Sequence, residues 1–299
     1  QHIKTIKSGV GKLIMSAKRP NDGIAVLYSP PSMLLSAFDD KMPQRWESPS
    51  AVAHVLTEAG FQYRMIYPTQ LADGVLDSGD FRMLYLPYCQ AMSRGEIDAV
   101  RKFAANGGVV LADLRPAVAD EHGKPYASGA LDDLFGVTQQ TSRAQAVTAE
   151  FAGVPKVRGD GSIKLNGGKA RASLGSAPAA ISNDRGILLN LAPGDLLVGN
   201  LVYDASFVTD TAANAVRELM HDLLAPHGIT PALITEPQVP GCHVFRHELT
   251  GGGGPSVISL IWDAPAFLPG IRYSEDEKIE KALKWQKTVK LHLPEARHV

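Results

Sequence analysis

Polar residues at the ends of three predicted strands are the part of this sequence best placed to do chemistry. The three segments are Ser29–Ser32, Tyr88–Gln90 and Asp113–Arg115, and each follows a run of apolar residues. Continuous apolar runs are typical of parallel strands that are buried on both faces. Ligands of open α/β sheets bind outside the carboxyl ends of such strands. We therefore predict a candidate ligand pocket formed by Ser32, Trp46, Cys89, Asp113 and Arg115.

Cys89 directly follows a predicted strand and is a candidate nucleophile. Its thiolate could attack a carbonyl group if a base folded beside it. No histidine lies near Cys89 in the sequence, however. A buried cysteine that packs as a small apolar residue is the simpler interpretation, for Cys89 as for Cys242, although the two could also form a disulfide. We therefore predict no catalytic residue in this chain.

Three other members of the predicted pocket also have ordinary structural interpretations. Asp113 and Arg115 flank Leu114, so in a strand their side chains would lie on the same side. They could bind a polar ligand, but a structural ion pair is the favoured interpretation. Trp46 lies in the polar loop after the first strand and has a flat face on which a sugar ring could stack. A tryptophan that caps a loop is an equally ordinary interpretation.

Two further polar pairs have spacings that argue against chemistry. Asp39 and Asp40 are adjacent, and adjacent carboxylates rarely reach the separation that an acid and base pair needs for hydrolysis. His243 and His247 lie four residues apart on a predicted strand, which keeps their side chains apart although they share one face. The sequence contains no HExxH, Walker, GxSxG, GxGxxG or CxxC motif. We expect neither a metal ion nor a cofactor.

Length and composition exclude several classes of protein. The chain has 299 residues, of which 44% are hydrophobic and 20% charged, which is ordinary for a globular protein of two domains. A formal charge of -1 provides no general attraction to nucleic acid or to an anionic membrane. No apolar run approaches the roughly 18 residues of a membrane-spanning helix. We expect a soluble chain without such partners, in the cytoplasm or secreted.

Strands alternate with helices between residues 23 and about 136. The predicted strands are Ile24–Tyr28, Phe61–Tyr67, Met83–Leu86 and Val109–Leu114. One helix between them starts at an N-cap, Ser48, and closes at Gly60, and another starts at a capping box formed by Ser93 and Glu96. This alternation predicts right-handed βαβ crossovers and a parallel sheet that is covered on both faces. A third, short helix is predicted at Leu131–Gly136.

The rest of the chain departs from this alternation. Short apolar runs separated by turn residues predict a β-rich excursion at 147–187, and a helix capped by Thr209 closes the α/β domain at residue 229. Residues 1–19 have the apolar spacing of an amphipathic helix that docks onto another domain. Residues 230–299 contain three predicted strands and a glycine run, Gly251–Gly254, that suits a hairpin tip. We expect the domain at 20–229 to be part of a longer protein.

The order of these segments resembles one protein family. The resemblance rests on Ile24–Ser29, Ala51–Gly60, Leu84–Pro87, Glu96–Phe103 with Asn106–Gly108, and Leu131–Gly136. Together they look like the β-galactosidase trimerisation domain of glycoside hydrolase family 42-like proteins, over roughly residues 20 to 228. That domain has a flavodoxin-like fold of the class I glutamine amidotransferase type. Residues 1–19 then resemble the end of a preceding (β/α)8 barrel, and 230–299 part of a small β domain.

The resemblance implies that this chain is not the catalytic part of its protein. In an active amidotransferase the turn that corresponds to Ala112–Arg115 carries a cysteine nucleophile, so this turn would belong to a pseudo-active site. The catalytic glutamates of family 42-like enzymes belong to the barrel. The implied role is to join subunits into a homotrimer and to shape a neighbouring active-site mouth, with carbohydrate as a candidate ligand.

Two alternatives remain open at this point. The chain could be an independent amidotransferase-like hydrolase, or a sugar-binding protein, that uses the strand-end pocket. It could also be an interaction scaffold with no connection to sugars.

Overall fold

The computed structural model describes residues 4, 9–39, 41–43, 47–196, 210–236, 238, 242–249, 256–262, 274 and 290–292. Strands and helices alternate in the first part of the chain, as the sequence predicts. In chain order the elements are α1 (Val10–Met15), β1 (Ala17–Lys18), β2 (Ile24–Leu27), α2 (Pro30–Ser36), α3 (Glu47–Glu58), β3 (Tyr63–Ile66), α4 (Pro68–Ala72), a 3₁₀ turn (Val75–Ser78), β4 (Met83–Leu86), α5 (Arg94–Ala105) and β5 (Val109–Asp113).

The second part of the chain consists mostly of β-strands and, among the described residues, contains one long helix. Its elements are α6 (Asp132–Phe135), β6 (Val137–Thr138), β7 (Ala146–Phe151), β8 (Val154–Asp160), β9 (Lys164–Leu165), β10 (Lys169–Leu174), β11 (Ala177–Asn183), β12 (Gly186–Leu189), α7 (Pro193–Leu196), α8 (Asp210–Leu224), a 3₁₀ turn (Ala225–His227), β13 (Ile234–Glu236), β14 (Cys242–Leu249), β15 (Ser256–Trp262) and β16 (Lys290–His292). Within the described ranges, no helix is both long and apolar enough to cross a membrane.

A seven-stranded sheet forms the centre, in the order β10-β11-β12-β5-β4-β2-β3. The strands from β12 to β3 are parallel, and β11 and β10 extend the sheet in antiparallel fashion. Counted along the chain, the five parallel strands have the order 2-1-3-4-5 that defines flavodoxin-like folds. The predicted class, an α/β fold with a parallel sheet, is confirmed.

Helices cover both faces of the sheet because its inner strands are apolar on both sides. Every residue of β2, β4 and β5 is buried. On one face, alternate residues such as Ile24 and Val26 pack with apolar side chains of α3 and α8. On the other face, their neighbours Ala25 and Leu27 pack with α5. Full burial of one such side chain contributes about 1.5–3 kcal/mol, so these two layers hold the domain together.

Local signals set several helix ends as predicted. Ser93 Oγ accepts a hydrogen bond from the N–H of Glu96 at 3.3 Å, and Glu96 Oε2 accepts one from the N–H of Ser93 at 2.8 Å, so the predicted capping box begins α5. The short helix α6 is followed by Gly136, whose φ of 64° only glycine adopts easily. Helix α3 begins at Glu47, one residue before the predicted cap.

The structure also contains a helix that the sequence analysis did not predict. Helix α2 begins three residues after the end of β2, with two consecutive prolines. Both prolines occupy the first turn of the helix, in which their missing N–H groups leave no hydrogen bond unmade. Ser29 is its N-cap, and its Oγ accepts a hydrogen bond from the N–H of Ser32.

The β-rich excursion is present between α6 and β12. Strands β7 and β8 form a hairpin, and β10 and β11 join the central sheet.

The tail contains β14 and β15, which pair as an antiparallel hairpin, and β13, which pairs with β16. Ala17, predicted to belong to the first helix, instead lies in β1 and pairs with Leu249 in β14. Thr209 and the glycine run lie outside the described residues. The domain boundaries near residues 20 and 229 stay predictions.

Candidate functional site

The crevice between the ends of β2 and β4 is closed by a serine. In this strand order the chain leaves β2 and β4 toward opposite faces of the sheet. The crevice between two such strands is where flavodoxin-like folds bind ligands. Ser32 Oγ accepts a hydrogen bond from the N–H of Ala91 at 3.0 Å and donates one to the Ala91 carbonyl oxygen at 3.1 Å. Ser29 Oγ donates to the same hydroxyl. Ser32 is therefore buried and joins the first turn of α2 to the segment after β4.

Cys89 is fully buried beside this crevice. In the described part of the chain, its thiol makes one hydrogen bond, to the Pro87 carbonyl oxygen at 3.5 Å. Burial raises the pKa of the Cys89 thiol well above its usual value, and the nearby carboxyl groups of Asp113 and Glu96 raise it further. The thiolate is the nucleophilic form, so these surroundings suppress reactivity. Cys242 is also buried, and the two cysteines are not joined by a disulfide.

We expect Cys89 to resist alkylation in the folded chain. Because its thiol is buried and its pKa is raised, iodoacetamide at neutral pH should label it at least about a hundredfold more slowly than a cysteine in a short peptide. Timed labelling followed by peptide mass spectrometry measures the rate, and complete labelling in concentrated guanidinium is the control. A rate in the folded chain equal to that of the peptide would show that Cys89 is accessible.

Asp113 is fully buried at the end of β5 and holds the neighbouring turn. Its Oδ1 accepts a hydrogen bond from the N–H of Tyr88, and its Oδ2 accepts one from the Tyr85 hydroxyl at 3.5 Å. Burial raises the pKa of the Asp113 carboxyl group well above its usual value, although both hydrogen bonds act in the opposite direction. Tyr88 has a φ of 42°, which is unusual for a residue with a side chain. Asp113 therefore supports a strained turn.

We expect Asp113→Asn to stabilise the fold at neutral pH. The pKa of Asp113 is higher in the folded chain than in the unfolded chain. The stability that the protonated carboxyl group contributes is therefore fully present below the unfolded pKa and is lost as pH rises through the folded pKa. Asparagine has nearly the same shape and no charge. It should raise the free energy of unfolding by about 1 kcal/mol or more at neutral pH, and by less as pH falls toward about 4. Urea unfolding at both pH values measures this, and a loss of stability at neutral pH would contradict it.

Arg115 forms a structural ion pair, but its partner is Asp160 rather than Asp113. Its Nη1 lies 2.7 Å from Asp160 Oδ2, and the two side chains are only 4% and 0% exposed. Leu114 and Arg115 have φ angles of 38° and 43°, so the side chains do not alternate as they would in a strand. The expectation that Asp113 and Arg115 lie on the same side fails for this reason. Asp160, at the end of β8, had no signal in the local sequence.

A cavity of about 210 Å³ lies beside these strand ends. Gln90 and Arg115 are its most buried polar residues, and Phe38, Asp39 and Arg143 also line it. Among the described residues, the side-chain nitrogen of Gln90 has no hydrogen-bond partner. A buried polar group left without any partner costs about 1–3 kcal/mol.

The structure thus places the residues of the predicted pocket in different surroundings. Of the predicted residues, only Arg115 lines this cavity; Ser32, Cys89 and Asp113 are buried in the surrounding structure, and Trp46 lies outside the described residues. Gln90 belongs to a strand-end segment that the sequence singled out, but Phe38 carried no signal of its own. In the ranges that the structure describes, no three His, Cys, Asp or Glu side chains are grouped to hold a metal ion.

The order and parallel pairing of the central strands define the class of this molecule. It is a flavodoxin-like α/β domain with small antiparallel sheets. More specifically, solved structures of glycosidases contain the same fold. A β-galactosidase from the Antarctic haloarchaeon Halorubrum lacusprofundi matches 79% of this chain with a TM-score of 0.58 and 17% identity. A GH42 β-galactosidase from G. stearothermophilus matches 78% with a TM-score of 0.53 and 15% identity. The suspected resemblance is confirmed at the level of the fold.

The similarity extends to a second kind of glycosidase and concerns only part of each enzyme. An α-L-fucosidase, isoenzyme 2 from Paenibacillus thiaminolyticus, matches 82% of this chain with a TM-score of 0.52 and 15% identity. The matches cover 34% of each of the two β-galactosidases and 38% of the fucosidase. This chain therefore spans about a third of the length of these three enzymes. No protein-family model matches the sequence, and no curated protein matches it significantly.

Proposed function

We propose that this chain is a non-catalytic region of a glycoside hydrolase, which joins subunits and shapes a neighbouring active-site mouth. One observation carries the proposal: the fold match takes in 79% of this chain but only 34% of the β-galactosidase from Halorubrum lacusprofundi. Most of that enzyme is therefore a different structure. A (β/α)8 barrel outside this chain would supply the catalytic carboxyl groups, and the association would be trimeric, as the family resemblance implies.

The strand ends support a non-catalytic role. Glycoside hydrolysis generally needs two carboxyl groups on opposite sides of the scissile bond, about 5–10 Å apart. Among the described residues that line the cavity, Asp39 is the only one with a carboxyl group. Asp113 and Asp160 are fully buried, and hydrogen bonds within the domain engage both carboxyl groups. The burial of Cys89 likewise argues against an independent amidotransferase-like hydrolase.

Two measurements test this proposal. Light scattering after size-exclusion chromatography should give three times the monomer mass of 32.0 kDa, and a monomer at all concentrations would remove the subunit-joining role. The chain alone should not hydrolyse p-nitrophenyl β-galactoside, whereas the product of the full open reading frame around this segment should. Hydrolysis by the chain alone, or a reading frame without a barrel, would overturn the assignment to a non-catalytic region.

A further inference from the structure

The cavity beside the strand ends contains an unused hydrogen-bond donor. Gln90 is only 6% exposed, and its side-chain nitrogen has no partner among the described residues. The main chain on either side is fixed, because the N–H of Gln90 donates to the Tyr88 carbonyl oxygen at 2.9 Å and its carbonyl oxygen accepts from Ala119 at 3.0 Å. Hydrogen bonds therefore fix the backbone from which the Gln90 side chain extends at the cavity wall. A ligand that contacts this nitrogen would satisfy it by presenting a hydrogen-bond acceptor.

Arg115 adds further donors beside Gln90. A guanidinium group carries five N–H groups. Arg115 lines the cavity and donates hydrogen bonds to Asp160 at 2.7 Å and to the Thr141 carbonyl oxygen at 3.4 Å, so its other N–H groups remain for further partners. Because these two hydrogen bonds hold the guanidinium in place, it is pre-organised to donate to a ligand. The buried part of the cavity thus suits a ligand with at least two acceptor oxygens.

The charges around the cavity favour a neutral ligand. Asp160 balances the charge of Arg115, and the other charged residues that line the cavity, Arg143 and Asp39, have opposite signs. An anion would gain no net attraction and would lie near the carboxyl group of Asp39. A cation would meet two guanidinium groups. The same donors serve a neutral hydroxylated molecule without this penalty, because hydroxyl oxygens accept hydrogen bonds and hydroxyl protons can be donated to Asp39.

Size and shape point to one sugar ring. The volume of about 210 Å³ is below the range of about 300–1,000 Å³ typical for larger ligands. Phe38 lines the cavity and is 87% exposed, so its ring presents a flat apolar surface. The C–H groups on one face of a pyranose ring can pack against such a surface while its hydroxyl groups remain free for polar contacts.

We propose that this cavity binds a neutral monosaccharide, either free or at the end of a glycan. The sugar ring packs on Phe38, and its hydroxyl oxygens accept hydrogen bonds from Gln90 and Arg115. This inference goes beyond the proposed function, because joining subunits requires no ligand. Among the described residues, this cavity shares Arg115 with the pocket predicted from sequence.

A larger cavity, of about 540 Å³ between α5 and α6, offers less for a ligand. Its charged groups are already paired within the protein: Arg101 lies 2.7 Å from Asp133, and the Arg94 guanidinium lies 4.6 Å from the centre of the Tyr126 ring. No buried side-chain donor or acceptor without a partner belongs to its described lining residues. The smaller cavity is the better candidate because it combines free donors with an apolar platform.

Titration of the chain with D-galactose and D-glucose tests the proposal. Saturation-transfer NMR detects contact with the protein, and calorimetry gives the affinity, which we expect to be about millimolar for a ligand of this size. Gln90→Leu and Phe38→Ala should each weaken binding about tenfold, the loss of one good contact. Phe38→Trp should retain binding. Leu34→Ala is the matched control, because Leu34 is 72% exposed one turn before Phe38 and does not line the cavity.

Three outcomes would overturn the proposal. The first is the absence of binding by either sugar at high millimolar concentration. The second is binding of D-galacturonate or inorganic phosphate in preference to both neutral sugars. The third is sugar binding that Phe38→Ala leaves unchanged, since this exposed substitution should not impair folding. Light scattering on the same samples reports the oligomeric state separately, so failure of this proposal and failure of the subunit-joining role can be distinguished.

Discussion

Asp160→Ala is expected to lower the free energy of unfolding by about 3–5 kcal/mol, because it leaves a buried guanidinium group without its counter-ion. The side chain of Arg115 is only 4% exposed, so little water can reach the position of the lost carboxylate. Asp160 Oδ1 also accepts hydrogen bonds from the N–H groups of Gln145 at 3.0 Å and Ser162 at 2.9 Å. The substitution therefore leaves two backbone donors without this partner as well.

Urea unfolding followed by circular dichroism measures this effect against a matched surface pair. Asp133 also pairs with an arginine at 2.7 Å, but the side chains of Arg101 and Asp133 are 42% and 67% exposed. Asp133→Ala should cost less than about 1 kcal/mol, as exposed ion pairs usually do. Similar losses for Asp160→Ala and Asp133→Ala would refute the argument from burial. Combining Asp160→Asn with Arg115→Met should be less harmful than Arg115→Met alone, because no unpaired charge remains.

Arg217→Met is expected to cost about 3 kcal/mol, because it removes one partner of a second buried carboxylate, that of Glu58. Arg217 in α8 donates through Nη2 to Glu58 Oε1, and its Nε donates to the Glu58 carbonyl oxygen at 3.3 Å. These contacts attach α8 to the end of α3. His243 Nε2 lies 3.6 Å from Glu58 Oε2 and offers partial compensation, which is why we place the expected loss at the lower end of the range for buried pairs.

The control for this prediction is Lys102→Met. Lys102 and Asp77 are 2.6 Å apart, and their side chains are about half exposed, so this loss should stay below about 1 kcal/mol. Adding Glu58→Gln to Arg217→Met should recover part of the stability, since a neutral amide is cheaper to bury than a carboxylate. If Arg217→Met unfolds at the same urea concentration as Lys102→Met, the buried pair does not contribute as argued.

The parallel sheet could be predicted because its signals are local. Each inner strand is an uninterrupted apolar run, as in β4, whose four residues are all buried. The capping box at Ser93 identified the start of α5 from two residues three positions apart. Such signals act between residues that are close in the sequence, so they do not depend on contacts with distant parts of the chain. They fixed the fold class, and the glycosidase structures agree with it.

The site could be predicted only in part, because its geometry depends on distant contacts. Arg115 was identified as a polar residue at a strand end. Its partner Asp160 lies 45 residues later, in the β-rich excursion, and only the folded chain brings the two side chains together. Leu114 has a left-handed φ of 38°. Leucine rarely adopts such an angle, so the sequence offers no reason to predict it. The sequence could not show that the side-chain nitrogen of Gln90 is buried and lacks a hydrogen-bond partner among the described residues.

The position of the excursion has a consequence for the kinetics of folding. Strands β5 and β12 are neighbours in the sheet, yet the whole segment from 114 to 185 lies between them. Pairings that close long loops cost more chain entropy and form more slowly than those between nearby segments. We infer that β2, β3, β4 and β5 assemble first and that β12 joins late, an order that pulsed hydrogen exchange would reveal as late protection of the β12 amides. Asp160 lies within that segment, so the wall of the cavity would be completed among the last steps of folding.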